Sequence, residues 1–166
     1  MSKMGDTAGK GQGKVPFVRI LMGLPRSGKT TFANAYRGLF PIVSADEIRM
    51  LVHGQRFWAD GEDMVWAVRN IYLKMLFQQG VSFIVDETNT TKVRREPIIK
   101  LAKEHGYKVE GIWFQTPTEV CIERALKDAD SKLIPIIERM EKQFEPPTEE
   151  EFNSLAEIGK EWVVFE

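Results

Sequence analysis

The stretch Gly23-Leu24-Pro25-Arg26-Ser27-Gly28-Lys29-Thr30 fits the pattern G-x-x-x-x-G-K-[ST] at every position. It follows the apolar run Phe17–Met22, which predicts a strand, and precedes a helix that we expect to open at Lys29 and end before Pro41. The glycines of such a loop let backbone N–H groups turn inward around phosphates, and the helix start adds the positive end of its dipole. We therefore predict that this loop binds the phosphates of a nucleoside triphosphate.

The side chains of this loop have separate expected roles. Lys29 should reach the β- and γ-phosphates, and the Thr30 hydroxyl should ligate magnesium. The other residues expected to contact the nucleotide are Gly23, Pro25, Arg26, Ser27, Gly28 and Thr31. The alternative is a glycine-rich turn that fits the pattern by chance, which the flanking strand and helix disfavour. The expected cofactors are ATP and Mg2+.

Strand and helix signals alternate along the rest of the chain. Further strands are predicted at residues 42–44, 81–85, 108–114 and 162–165, and further helices at about 46–52, 64–79, 94–104 and 136–144. Capping boxes are predicted at Thr116 to Glu119, where a helix would begin with Pro117, and at Thr148 to Glu151. The alternation predicts an α/β protein with the three-layer P-loop NTPase fold. We expect a central parallel sheet of about five strands, helices on both faces and a small lid.

Composition narrows the classes of protein to consider. Of the 166 residues, 1–15 are glycine-rich without apolar periodicity and are predicted to be a flexible tail, which leaves 16–166 as one P-loop domain. The single cysteine, Cys121, excludes an internal disulfide and is expected to fill the core. The net charge of -1 argues against indiscriminate nucleic-acid binding. We expect a cytoplasmic protein, with no membrane association and no protein partner implied.

Two further clusters of polar residues follow predicted strands. Asp46 and Arg49 would share a helix face, where the carboxylate can accept a proton from an attacking hydroxyl and the arginine can hold an acceptor. The alternative for this pair is an N-cap aspartate in a surface ion pair. Asp86 ends an apolar strand in a Walker-B-like arrangement that suits magnesium, and Thr88 and Asn89 can bind the loop or the acceptor. The alternative is that Asp86 and Asn89 only satisfy the turn backbone.

The segment His53-Gly54-Gln55-Arg56-Phe57-Trp58-Ala59-Asp60-Gly61 contains an arginine and two aromatic residues between glycines. Arg56 and Trp58 are candidate acceptor-binding residues, because such a loop can hold a phosphate and stack a base. The alternative, which we favour, is that Phe57 and Trp58 pack onto the long helix that follows.

Taken together, residues 17–155 resemble the polynucleotide-kinase-like branch of small P-loop kinases. The resemblance rests on the loop, on Asp46-x-x-Arg49, on Asp86-x-Thr88-Asn89 followed by Arg94-Arg95, and on Met140-Glu141-Lys142-Gln143-Phe144-Glu145-Pro146-Pro147, which fits the family pattern M-x-x-x-F-E-x-P. Where a glycine often follows in the family, this chain has Glu150.

The resemblance also implies roles for particular residues. Asp46 would be the general base and Arg49 would contact the acceptor, while Asp86 would lie beside the metal. Arg124, together with Lys127, would belong to a lid that closes over the triphosphate and excludes water. The polar stretch from Lys127 to Lys132 suits such a lid, and its alternative is an ordinary surface loop.

The leading functional hypothesis is an ATP-dependent kinase that phosphorylates a hydroxyl of a nucleic acid, with DNA favoured. The acceptor would be a 5′-hydroxyl end or a hydroxymethylated pyrimidine base, such as 5-hydroxymethyluracil in phage DNA, because similar kinases of phages act on such bases. One alternative is a kinase for a small molecule, such as a nucleoside, a sugar or an antibiotic. The other is a nucleotide-dependent switch or binding module.

Overall fold

The computed structural model describes residues 13–159, in which five strands form one sheet. The strands are β1 (Phe17–Met22), β2 (Ile42–Val43), β3 (Phe83–Val85), β4 (Lys108–Phe114) and β5 (Ser154–Ile158). Their order is β2-β3-β1-β4-β5, and every neighbouring pair is parallel. The predicted five-stranded P-loop NTPase fold is therefore confirmed.

Six helices connect and cover these strands. They are α1 (Lys29–Ala35), α2 (Ala45–His53), α3 (Glu62–Gln79), α4 (Lys92–Glu104), α5 (Thr118–Lys127) and α6 (Ile134–Gln143). Short 3-10 turns lie at Ala59–Gly61, Ser131–Leu133 and Glu149–Glu151. None of the helices within residues 13–159 has the length and apolar character that a membrane span requires.

Alternate residues of β1 place a hydrophobic core on each face of the sheet. Val18 and Ile20 join the larger core with residues of α3 and α4, whereas Leu21 packs on the other face with Ala33 of α1. A third, smaller cluster joins the phosphate loop to α5 and α6 through Leu24, Cys121, Ala125 and Ile137. Cys121 is fully buried, as expected of a core residue. Through this cluster, α5 and α6 pack directly against the phosphate loop.

Several predicted boundaries differ from the structure. Helix α1 opens at Lys29 and ends before Pro41 as predicted, but it is shorter than the available segment, since it ends at Ala35 and a series of turns follows it. The last described strand is Ser154–Ile158, which has no regular apolar alternation, while the strand predicted at 162–165 lies outside the described residues. The predicted boundary between a tail and a domain at residue 16 stays a prediction, because residues 1–12 also lie outside them.

The two predicted capping boxes have different outcomes. At Thr148 the box forms, although it caps only a single 3-10 turn. At Thr116 it is wrong, because α5 begins at Thr118 after Pro117 and no side chain caps it. The Thr116 hydroxyl instead donates to the carbonyl of Ser27 in the phosphate loop at 2.8 Å. The end of β4 thereby fixes the loop that lies beside it.

Arg95 of α4 is a fully buried charge that joins distant parts of the chain. Its guanidinium binds the Glu151 carboxylate at 2.9 Å and the carbonyls of Asn89 and Glu145 at 3.0 Å each. These bonds tie the turn after β3 to the segment that precedes β5. Through the main-chain carbonyl of Glu145, the Arg95 side chain therefore holds the end of the Met140 to Pro147 segment against the turn after β3.

Replacing Arg95 by methionine should lower the free energy of unfolding by about 3–5 kcal/mol, because a partly buried carboxylate and two carbonyls lose their partner. Urea denaturation measures the change. Lys100→Met, at an exposed position on the same helix, is the matched control and should change stability by less than about 0.5 kcal/mol. Equal stabilities of the two variants would contradict the structural role of Arg95.

Candidate nucleotide and acceptor site

The phosphate loop lies between β1 and α1, and both of its glycines are required by its shape. A side chain at Gly23 would come within 2.7 Å of the Ser27 hydroxyl and 3.0 Å of Phe114. Gly28 has a φ of 105°, in the region that glycine adopts most readily. The backbone N–H of Gly23 also donates to the Thr88 carbonyl at 3.0 Å, which joins the loop to the end of β3. The loop is thus a closed turn at the carboxyl edge of the sheet.

Lys29 is buried at the first position of α1 and points into the loop. Its ammonium donates to the Leu24 carbonyl at 2.6 Å and to the Ser27 hydroxyl at 3.2 Å. Burial lowers the pKa of Lys29 from 10.5 to about 8, although the negative charge of Asp86 opposes this. The ammonium is therefore held by polar atoms of the loop itself, where phosphate oxygens would be better partners.

This lowered pKa predicts how nucleotide affinity depends on pH. Phosphates beside Lys29 should raise the pKa of Lys29 in the nucleotide complex. Above pH 8, the approximate pKa of Lys29 in the free protein, nucleotide binding is therefore accompanied by uptake of a proton. Affinity should be constant below that pH and fall by up to about tenfold per pH unit above it. Titration with a non-hydrolysable ATP analogue measures this dependence. Lys29→Arg, which stays charged, should abolish it, and a flat profile for the unaltered protein would contradict the prediction.

Thr30 and Asp86 form the candidate metal site. The Thr30 hydroxyl donates to the Asp86 carboxylate at 2.9 Å, so the end of β3 meets the start of α1 as predicted. Burial raises the pKa of Asp86, while the Thr30 bond and the Lys29 charge lower it. Within residues 13–159, no group of three or more His, Cys, Asp or Glu side chains is placed to hold a metal. One carboxylate and one hydroxyl suit Mg2+, which commonly takes its remaining ligands from water and phosphates.

Asp46 and Arg49 lie together on α2, with Asp46 open to solvent. The helix is capped by Ser44, whose hydroxyl accepts from the Glu47 N–H, so the alternative for Asp46 is wrong about the N-cap, although the surface ion pair with Arg49 that it predicted is present. Arg49 donates to Asp46 at 2.7 Å, and the Asp46 side chain is 80% exposed. The charge of Asp46 raises the pKa of both Lys29 and Asp86. Asp46 is therefore close to the phosphate loop and accessible to an acceptor.

Glu62 completes this group, and sequence reasoning missed it. Arg49 donates through two nitrogens to the Glu62 carboxylate, at 2.8 and 2.9 Å. The Glu62 bond raises the pKa of Arg49, and the same bond lowers the pKa of Glu62. Because Glu62 opens α3, it fixes the guanidinium between two helices. Only contact in the folded protein identifies this partner, since no local pattern joins positions 49 and 62.

Thr88 and Asn89 contribute mainly to the turn after β3. Asn89 is buried, and its side-chain amide donates to the Leu21 carbonyl at 2.8 Å and to the Glu87 carbonyl at 3.3 Å. Its amide therefore faces β1, which is a correction to its expected role as an acceptor ligand. The main-chain carbonyl of Thr88 accepts a hydrogen bond from the Gly23 N–H of the phosphate loop. The Thr88 side chain is half-buried, two residues after Asp86.

The predicted lid is packed on the phosphate loop. Arg26 binds the carboxylates of Asp128 and Asp130, and Arg124 donates to the Arg26 carbonyl at 3.0 Å. Arg56 also binds Asp130, at 3.0 Å. Asp130 of the lid therefore joins the phosphate loop to the loop that follows α2, and Asp128 adds a second contact to the phosphate loop.

Trp58 contacts the last residue of α2. Its ring meets the His53 ring edge-on with centroids 5.0 Å apart, while 47% of the residue stays exposed. Phe57 is 67% exposed. The favoured alternative, in which both rings pack onto the long helix, stays a prediction, although neither residue is buried. Acceptor binding by Arg56 and Trp58 stays a prediction.

Comparison with known proteins places this site in a family. Residues 18–147 match the family model AAA_33, which is described as an AAA domain. The chain belongs to the AAA_33 family. The match covers the phosphate loop, the lid and the segment that begins at Met140. It agrees with the predicted relation to P-loop kinases at the level of the family.

Proteins similar to this chain include a curated protein and several solved structures. The L-seryl-tRNA(Sec) kinase of Methanococcus maripaludis is 25% identical over 133 residues, which are 77% of this chain and 52% of that protein. This chain thus spans about half the length of that relative. A putative kinase from Chloroflexus aurantiacus has a TM-score of 0.66 at 21% identity, over 88% of this chain and 89% of that one.

A chain of the Pnkp1/Rnl/Hen1 RNA repair complex has a TM-score of 0.60 at 20% identity, over 83% of this chain and 49% of that one. The APS kinase CysC of Mycobacterium tuberculosis, in a complex with AMPPNP and APS, has a TM-score of 0.62 at 17% identity, over 86% of this chain and 88% of that one. At these identities the structures establish the shared fold.

Proposed function

We propose that this protein is an ATP-dependent kinase that transfers the γ-phosphate to a hydroxyl group of a nucleic acid. The observation that carries the proposal is the position of Asp46. Its carboxylate is 80% exposed, yet its charge acts on both Lys29 and Asp86 across the phosphate loop. A base that faces solvent beside a phosphate-binding loop suits transfer to an incoming hydroxyl.

The chain's own residues supply the steps of such a transfer. Lys29 and the loop N–H groups bind the phosphates and offset the charge that develops on the moving group. Asp46 accepts the proton of the attacking hydroxyl, and Arg49, held by Glu62, orients that carboxylate and the acceptor. Mg2+, when bound, would offset charge on the phosphate oxygens, and Thr30 and Asp86 are the residues that would hold it.

The lid supports transfer in preference to hydrolysis. Arg124 and the two aspartates Asp128 and Asp130 hold the segment after α5 against Arg26 of the loop. A segment packed in this way can exclude water from a bound triphosphate, so that the acceptor hydroxyl is the available nucleophile.

Two comparisons support a nucleic acid as the carrier of the hydroxyl. One relative is named as a kinase of L-seryl-tRNA(Sec), and one structural relative belongs to an RNA repair complex. We propose a 5′-hydroxyl end, or a hydroxymethylated pyrimidine base such as 5-hydroxymethyluracil in phage DNA, as the acceptor. The hydroxymethylated base would have to flip out of the base stack to reach Asp46.

Label transfer from γ-labelled ATP with Mg2+ tests the proposal. The acceptors are DNA and RNA with 5′-hydroxyl ends, and 5′-phosphorylated DNA with and without 5-hydroxymethyluracil. We expect label in at least one nucleic acid and none in 5′-phosphorylated DNA of ordinary bases. The absence of label from every nucleic acid would reject the proposal.

A small-molecule acceptor is the second candidate, and the net charge of -1 favours it. The fold is also shared with an APS kinase. Salt separates the two candidates, because contacts to nucleic-acid phosphates weaken steeply with salt whereas binding of a neutral metabolite does not. A nearly salt-independent KM for the acceptor would favour this second candidate.

A further inference from the structure

Three arginines surround the ring of Trp66 next to the candidate acceptor site. The guanidinium carbon of Arg69 lies 5.5 Å from the ring centroid, and those of Arg49 and Arg94 lie 6.0 Å from it. Guanidinium groups at this distance from an indole are attracted to its π-face. Trp66 thus contacts one arginine each from α2, α3 and α4.

The three arginines differ in how their charge is balanced. Arg49 is paired with Glu62 and Asp46, and Arg69 is paired with Glu87 through two bonds of 2.8 and 2.7 Å. Arg94 is exposed and forms no ion pair with any residue in 13–159. The first turn of α4 contains no acidic residue that could balance it. The cluster therefore retains one cation available to an external anion.

Arg94 is connected to the proposed base by a continuous series of contacts. Asp46 binds Arg49, and the guanidinium carbon of Arg49 lies 6.0 Å from the centroid of the Trp66 ring. Trp66 in turn contacts Arg94. Since Arg49 and Arg94 lie at the same distance from one ring, they are no more than twice that distance apart. A polymeric acceptor whose hydroxyl lies at Asp46 is therefore long enough to reach Arg94 as well.

We propose that Arg94, positioned by Trp66, binds a phosphodiester group of the nucleic acid whose hydroxyl lies at Asp46. This inference rests on the proposed function and specifies its substrate as a polynucleotide rather than a single nucleoside or sugar. Charge complementarity supports this occupant, because the guanidinium is the preferred protein partner of phosphate and here has no carboxylate partner within the described residues. A small neutral acceptor would use Asp46 and Arg49 alone.

Trp66 is a positioning residue in this proposal. An exposed arginine ordinarily samples many rotamers, and contact with the indole restricts Arg94 before the phosphate arrives. Phenylalanine at position 66 would keep an aromatic face beside Arg94, whereas leucine would remove it. The Trp66→Phe variant should therefore retain most of the binding that Trp66→Leu loses.

Fluorescence anisotropy with a labelled, 5′-phosphorylated oligonucleotide tests the inference without turnover. Arg94→Ala should raise the Kd about tenfold at low salt and reduce the slope of log K against log salt by about one. Arg139→Ala, at an exposed arginine of α6, is the matched control and should change neither quantity. Thermal unfolding of each variant confirms that it is folded.

The outcomes separate this inference from the proposed function. If the unaltered protein phosphorylates a nucleic acid while Arg94→Ala binds it with the same Kd and salt slope as Arg139→Ala, only the role of Arg94 is overturned. If Arg94→Ala weakens binding with the expected salt slope but no nucleic acid is labelled, Arg94 does bind phosphate and the proposed reaction is wrong. Equal loss in Trp66→Phe and Trp66→Leu would overturn the positioning role.

Discussion

Replacing Lys29 by alanine should lower the rate of phosphoryl transfer by about 10³-fold or more. Lys29 is the buried cation of the phosphate loop, and its ammonium already lies between the Leu24 carbonyl and the Ser27 hydroxyl. Its loss removes the charge that stabilises the transferring phosphoryl group, and no other lysine within residues 13–159 lies in the loop. Single-turnover kinetics with saturating nucleotide measures the effect on the chemical step.

The fold should tolerate this substitution. Burial disfavours the charged form of Lys29, as its lowered pKa of about 8 indicates, so removal of the side chain also removes the cost of burying its charge. Lys100→Ala on the outer surface of α4 is the control for loss of one lysine. A rate for Lys29→Ala within tenfold of that control would contradict the assigned role of the loop.

Replacing Asp46 by asparagine should leave nucleotide binding nearly unchanged and lower the transfer rate by about 10²-fold or more. The amide keeps the shape of the side chain and can still approach Arg49, but it cannot accept the proton of the acceptor hydroxyl. Steady-state kinetics with the nucleic-acid acceptor and an independent measurement of nucleotide affinity separate the two effects.

Glu47→Gln is the matched control for this prediction. Glu47 is the neighbouring acidic residue of α2, and it binds Arg37 on the exposed side of the helix. The control should retain most of the rate, because an exposed ion pair contributes little. An unchanged rate for Asp46→Asn would remove Asp46 from the role of general base, whatever happens to the control.

The sequence predicted those parts of the site that depend on local pattern. Strands Phe17–Met22 and Lys108–Phe114 have the expected boundaries, since each is a mainly apolar segment that ends before turn residues. The loop from Gly23 to Thr30 lies between β1 and α1 as expected, because its glycine pattern directly follows the strand signal and leads into the helix signal. The contact between Thr30 and Asp86 also followed, since parallel strands bring their carboxyl ends to one edge of the sheet.

The sequence did not predict the contacts that depend on how helices pack. Glu62 reaches Arg49 only because α2 and α3 pack side by side, and Asp130 reaches Arg56 across 74 positions of the chain. The side chain of Asn89 was expected at the acceptor, but a buried amide must find partners, and it takes the carbonyl of Leu21. The same requirement directs the Thr116 hydroxyl to the phosphate loop instead of to a helix cap.

The most direct test of the central claim is a single turnover of bound nucleotide. The protein is loaded with a stoichiometric amount of γ-labelled ATP and Mg2+, and then mixed with an excess of 5′-hydroxyl and hydroxymethylated nucleic acids. We predict that label moves into a nucleic acid faster than it appears as inorganic phosphate, and that Lys29→Ala shows neither product on that time scale. Label released only as inorganic phosphate, at a rate that no acceptor changes, would contradict the account and favour a nucleotide-dependent switch.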